Sequence, residues 1–87
     1  MTNAAITVNG ITTEEELHWV LSTTFGFPVY YGHNLDALCD MLTGWVELPL
    51  HVEFTGWTKF EMAIGQERAK IVLDCFNDAE GVSVELK

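Results

Sequence analysis

Tyr30-Tyr31-Gly32-His33-Asn34-Leu35-Asp36-Ala37-Leu38-Cys39-Asp40-Met41-Leu42-Thr43-Gly44-Trp45-Val46-Glu47-Leu48-Pro49 carries a complete short helix with its start and stop signals. Asn34 suits the N-cap, where its side-chain oxygen accepts an orphan backbone N–H. Gly44 suits the left-handed residue that closes a helix. Leu35, Leu38, Leu42 and Trp45 recur at helical spacing and form one apolar stripe. Asp36 and Asp40 lie four apart on another face, so their carboxylates are neighbours one turn apart. Two tyrosines and a glycine lead into the helix, and no Lys or Arg occurs before Lys59. Acids alone are most simply a solvated helix face. Without basic neighbours, though, such a pair costs a few tenths of a kcal/mol (about 0.2–0.5), and beside aromatics it points to a positively charged partner.

The flanks supply the rest of a fold. Ala4, Ile6 and Val8 alternate with polar or small residues as in a short strand, closed by Asn9-Gly10. Thr12-x-x-Glu15 and Thr13-x-x-Glu16 are both capping boxes for a helix burying Leu17, Val20, Leu21 and Phe25. Glu14 to Glu16 suit the positive end of its dipole. Gly26, Pro28 and Gly32 punctuate the link to Asn34. Leu50, Val52 and Phe54 read as a second strand, starting at Pro49 and stopped near Gly56. A short helix over 57–63 and a longer one over 66–79 follow, the latter burying Ala69, Val72, Leu73 and Phe76. Gly81 ends it before a last strand through Val82, Val84 and Leu86. The order is βααβααβ. Helical crossovers between successive strands predict an α/β domain over 1–87, a small three-stranded parallel sheet packed with helices.

The chain has 87 residues, 48% of them hydrophobic and 11% aromatic, enough for one core without metal or disulfide. Thirteen acids against four bases give a formal charge of −9. Nucleic acid binding needs clustered Lys/Arg, so neither nucleic acid nor an acidic membrane is expected as a partner. A basic protein fits the complementary field. Met1 to Glu16 has no basic, apolar leader pattern, and no apolar run reaches spanning length, so a cytoplasmic location is expected.

The central residues resemble the signature of the barstar family of ribonuclease inhibitors. The resemblance runs through Tyr30-Tyr31-Gly32, Asn34 to Leu38, Asp40, and Leu42 to Glu47. It continues through Pro49-Leu50 and weakens over Val72-Leu73 and Phe76 to Ala79. It implies the same barstar-like fold and no catalysis by this chain. In that family the helix and its preceding loop plug a ribonuclease active site. By resemblance, Asp40 would reach the pocket that holds substrate phosphate and Asp36 would pair with a neighbouring arginine, whose planar fork binds carboxylate bidentately. Asp78 aligns with a family glutamate and would be a third acid. Tyr30 would pack on the enzyme's catalytic histidine, while Asn34, Thr43 and Gly44 would add polar and backbone contacts. Tyr31 is placed nearer core or rim, and Trp45 mainly in helix packing with an edge near the partner. A cis Leu48–Pro49 bond is also implied, although Leu48 lacks the aromatic ring the family carries there.

Besides Asp78 and Leu48, two further positions depart from the family pattern. Cys39 stands where the family has a bulky aromatic, and is expected as an exposed, slow-reacting thiol on the binding face. His33 replaces an acid. Cys39 and Cys75 show no metal-like spacing and are expected as free thiols without a bridge between them. His18, His33 and His51 are scattered and read as structural or solvated groups. No cofactor or metal is expected.

Three function classes follow. First is an inhibitor of a basic ribonuclease or ribonuclease-like toxin domain, of the immunity type. Second is a barstar-like interaction module that has lost inhibition. Last is a small acid-dependent enzyme or metal-binding protein, for which no nucleophile–base pair or phosphate loop is present.

Overall fold

The computed structural model describes residues 2–87; Met1, the first residue of the expected domain, lies outside them. The strands are β1 (Thr2–Thr7), β2 (Leu50–Thr55) and β3 (Val82–Leu86), and the helices are α1 (Glu14–Phe25), α2 (Leu35–Gly44), α3 (Trp57–Ile64) and α4 (Gln66–Asp78). Their order is the βααβααβ read from the sequence. All three strands are parallel, in the order β1-β2-β3.

Register divides the sheet into two unlike faces. Ala4, Val52 and Val84 lie side by side, as do Ile6, Phe54 and Leu86. This face is roofed by the helices: Leu17 and Leu21 of α1, Leu38 and Leu42 of α2, Phe60 of α3, and Val72 and Phe76 of α4 are buried with it. Phe54 anchors an aromatic cluster, with its ring centroid 5.1 Å from both Trp57 and Phe76. The opposite face carries Asn3, His51, Ser83, Glu53 and Glu85, and no helix covers it. Parallel strands buried on both faces read as continuous apolar runs; these alternate because only one face is covered.

The helix ends follow local chemistry. Of the two capping boxes, Thr13 is the N-cap of α1, its Oγ1 accepting the Glu16 backbone N–H at 3.1 Å, while Thr12 Oγ1 donates to Glu16 Oε1 at 3.0 Å. Gly26, left-handed at φ 65°, closes α1. Within α1, His18 is buried where Val20 and Phe25 are only half-buried, and in α4 Cys75 is buried where Leu73 is half-buried. Leu48–Pro49 is cis. No helix among the described residues is long and apolar enough to cross a membrane.

Gly56 binds the C-terminal ends of the strands together. It is left-handed at φ 81°, its N–H donates to Lys87 O at 2.9 Å, and a Cβ there would run into Asn9, whose backbone N and Cα would lie only 2.9 Å away. Gly56→Ala should therefore destabilise the fold by at least about 1–3 kcal/mol from backbone conformation alone. A denaturant titration checks it: an unchanged midpoint would show that this junction is not packed as described.

Candidate functional site

The candidate surface is formed by α2 with its entry loop and the neighbouring end of α4. The loop closes by a turn in which Tyr31 N–H donates to Pro28 O at 2.9 Å, which leaves Tyr30 73% exposed and turns Tyr31 inward to 6%. Asn34 caps α2 as expected: Oδ1 accepts Ala37 N–H at 2.8 Å and Nδ2 donates to Gly32 O at 3.2 Å. Asp36, in the first turn of α2, and Asp40 are both exposed. Among the described residues, neither carboxylate, nor that of Asp78, has an ion-pair or hydrogen-bond partner. Arg68, Lys70 and Lys87 are taken up elsewhere. Arg68 makes a two-pronged bond to Glu14 at 2.9 and 3.0 Å, Lys70 pairs with Asp74, and Lys87 with Glu53 and Glu85. The Arg68 hydrogen bond, opposed by partial burial, holds Glu14 below the usual carboxylate range. Lys59, on α3, has no ion pair among the described residues, and none of the four bases pairs with an acid of α2, which preserves a negative field over the helix.

Two expectations at this surface are overturned. Cys39 is no free thiol: it forms a disulfide with Cys75, and neither cysteine is free. The packing of α2 on α4 brings their Cα atoms to 5.1 Å, within bridging range (about 4.4–6.8 Å), although they are 36 residues apart in sequence. The Cys75 sulfur lies 3.7 Å from Leu35 O, a contact that carries no proton once the bridge is formed. Gly44 does not adopt the left-handed conformation. It is the last residue of α2, and the helix closes because Trp45 and Val46 N–H both reach Met41 O, at 2.9 and 3.1 Å. That bifurcated closure needs no positive φ. Trp45, 46% exposed, lines a hollow with Phe25 and Val46 rather than completing the buried stripe of Leu38 and Leu42.

Cys39, Thr43 and Asp78 come together around one hollow of about 260 Å³ between α2 and α4, also lined by Ile71, Asp74, Cys75 and Ala79. Thr43 Oγ1 donates to Asp40 O at 3.0 Å, which orients its methyl and hydroxyl at the rim. The wall is mainly apolar, with acids at its edge.

Sequence reasoning passed over the support beneath the loop. His18 Nδ1 lies 2.6 Å from Tyr31 Oη, and both side chains are buried. His33, at φ 50°, sets its ring edge-on to Trp19 with centroids 4.7 Å apart and 5.2 Å from Tyr31. A non-glycine residue in that region is uncommon, and here the aromatic contacts hold it. Burial pushes the Tyr31 hydroxyl up to about 12, so it stays a neutral phenol. Burial, reinforced by nearby His33, pushes His18 below its ordinary value, against the opposing pull of Glu14 and Glu15. The only sequence signal was a histidine next to Leu17 on the apolar side of α1.

The family model for Barstar, the barnase inhibitor, matches residues 1–85. The chain belongs to the barstar family. It is also similar to a Bacillus subtilis (strain 168) protein described as "Putative ribonuclease inhibitor YrdF", with 64% identity over 36 residues. That alignment covers 41% of this chain and 40% of the relative, so less than half of either chain enters it.

Two outcomes are expected. Breaking the Cys39–Cys75 bridge should lower stability by about 2–4 kcal/mol, read as a drop in denaturation midpoint on adding dithiothreitol; a Cys39→Ser/Cys75→Ser chain should not respond to the reductant. The His18 shift predicts a pH dependence. The folded imidazole binds its proton less readily than the unfolded one, so the unfolded state gains protons first as pH falls below about 6.5. Stability should be complete above that value and fall as pH drops through it toward the lowered folded value. The Glu14 contribution is lost only further down, as pH falls below the carboxylate's ordinary 4.5. Urea titrations at pH 7.5 and 5.5 should show the loss, and His18→Gln should reduce it.

Proposed function

We propose that this protein inhibits a basic ribonuclease, or the ribonuclease-like toxin domain of a competition system, by covering its active site with α2 and the preceding loop. It performs no catalysis of its own. The observation that carries the reading is the pair Asp36 and Asp40, exposed and unpaired on the central helix of a barstar-family chain, with Arg68, Lys70 and Lys87 engaged elsewhere.

In this reading Asp40 enters the cationic pocket that otherwise receives substrate phosphate, and Asp36 meets an arginine at its edge. Both are charge-assisted, directional contacts for which Arg is the suited donor. Tyr30, already held out of the core by the Pro28–Tyr31 turn, supplies an aromatic anchor. Its presentation depends on the buried His18–Tyr31 pair, which fixes the loop before binding and reduces the ordering cost. Asn34 has both ends of its amide engaged within the cap, so its part is to set the helix direction. Thr43, Gly44 and Asp78 extend the surface toward α4, with His33 and Trp45 at its margins.

Cys39 changes the centre of this face. Tied to Cys75, it leaves an apolar hollow edged by Thr43 and Asp78 in place of a protruding aromatic. The matching enzyme should project a side chain into the hollow. This distinguishes its cognate enzyme from one that expects a flat aromatic contact.

The test is inhibition of a barnase-type ribonuclease, and of any ribonuclease or toxin domain found encoded beside this chain. Binding should be tight and should weaken with salt. Asp40→Ala should cost about 2–5 kcal/mol, a scale taken from the barnase–barstar pair itself rather than derived for this chain. Asp36→Ala and Tyr30→Ala should follow. Equal inhibition by wild type and Asp40→Ala would remove α2 from the interface.

A further inference from the structure

We propose that the open face of the sheet holds a divalent transition-metal ion on His51, Glu53 and Glu85. Nothing in the inhibitor reading uses these residues. They lie on the face opposite the one α2 packs against, so the two functions are separately testable.

The strand register builds the group. His51 and Glu53 are two apart on β2 and therefore point to the same face, and Glu85 of β3 is the direct partner of Glu53. One ligand atom from each side chain lies within 4.8 Å of the others. His51 Nε2 is 4.0 Å from Glu53 Oε1. The two carboxylates already converge on a cation: Lys87 Nζ sits 3.2 Å from Glu53 Oε1 and 3.3 Å from Glu85 Oε2.

The histidine is oriented for ligation. Its Nδ1 lies 2.8 Å from Ser83 Oγ, the residue paired with it across the strands. With Nδ1–H donating to that hydroxyl, the Nε2 lone pair is left directed at Glu53. An outer hydrogen bond of this kind fixes tautomer and ring angle in metal-binding histidines.

The donor set selects the metal. One imidazole nitrogen and two carboxylates suit Zn²⁺, Co²⁺ or Mn²⁺, whereas Ca²⁺ and Mg²⁺ call for more oxygen ligands. Metal–ligand bonds of roughly 2.0–2.2 Å require the ligand atoms to close to about 4 Å or less. The exposed Glu85 side chain can rotate to achieve this. Three protein ligands on an uncovered face leave the remaining positions to water or a partner's ligand. Lys87 is then the competing cation, and its ammonium must swing away.

The experiment is calorimetric titration of the metal-stripped protein with Zn²⁺ alone, with Co²⁺ absorption as a second readout. Wild type should take up one saturable ion per chain. Ser83→Ala should weaken binding about tenfold, and His51→Ala and Glu85→Gln should weaken it more. Lys87→Ala should strengthen it by removing the competitor, and Glu67→Gln, at an exposed position outside both sites, should leave it unchanged. Circular dichroism checks that each variant folds; Glu85→Gln, nearly isosteric at an exposed position, decides the matter if His51→Ala does not. Absence of saturable uptake by wild type, wild-type affinity in Glu85→Gln, or loss of uptake in Glu67→Gln would each overturn the site.

Discussion

The alternation of β2 is the constraint on which the rest depends. Leu50, Val52 and Phe54 point one way and are essentially removed from water, while His51 and Glu53 point the other. As the central strand, β2 pairs on both sides, so its register sets that of β1 and β3. A shift of one residue would carry Phe54 into solvent and Glu53 into the aromatic cluster, so burial of one face specifies the register strongly. Four helices then have a single apolar surface to cover.

This one-sided cover separates the chain's chemistry. Helix α2 lies on the roofed side, held down by Leu38 and Leu42 and tied to α4 through Cys39 and Cys75. Its outer face is thereby fixed, and the acids on it share a rigid frame. The open side of the sheet gathers a different set of charges, balanced by Lys87. With so few bases, their placement matters more than their number. Arg68 links α4 to the start of α1, and Lys70 pairs along its own helix, which leaves α2 unneutralised.

The loop before α2 gains its shape from below. A buried histidine–tyrosine pair and the left-handed His33 wedged against Trp19 replace what longer secondary structure would otherwise supply. Such support is expected where a short loop must present an aromatic side chain without letting it collapse into the core.

Local residue patterns specify the elements and the parallel α/β class. The same local patterns specify the cap at Asn34 and the solvent exposure of Asp36 and Asp40. These follow from interactions that close within a turn or from side-chain periods of two and about 3.6 residues, which are written locally. Tertiary structure alone decided the rest. It joined Cys39 to Cys75 across 36 positions, brought Asp78 beside Thr43, buried His18, and set His51 against Ser83 across 32 positions. The stop expected at Gly44 failed for a local reason instead, because the carbonyl of Met41 accepts two N–H groups without a left-handed residue, whereas the other pairings are long-range. Spacing along the chain carries no record of such pairings. They arise only when helices settle on one side of a sheet and leave the other bare.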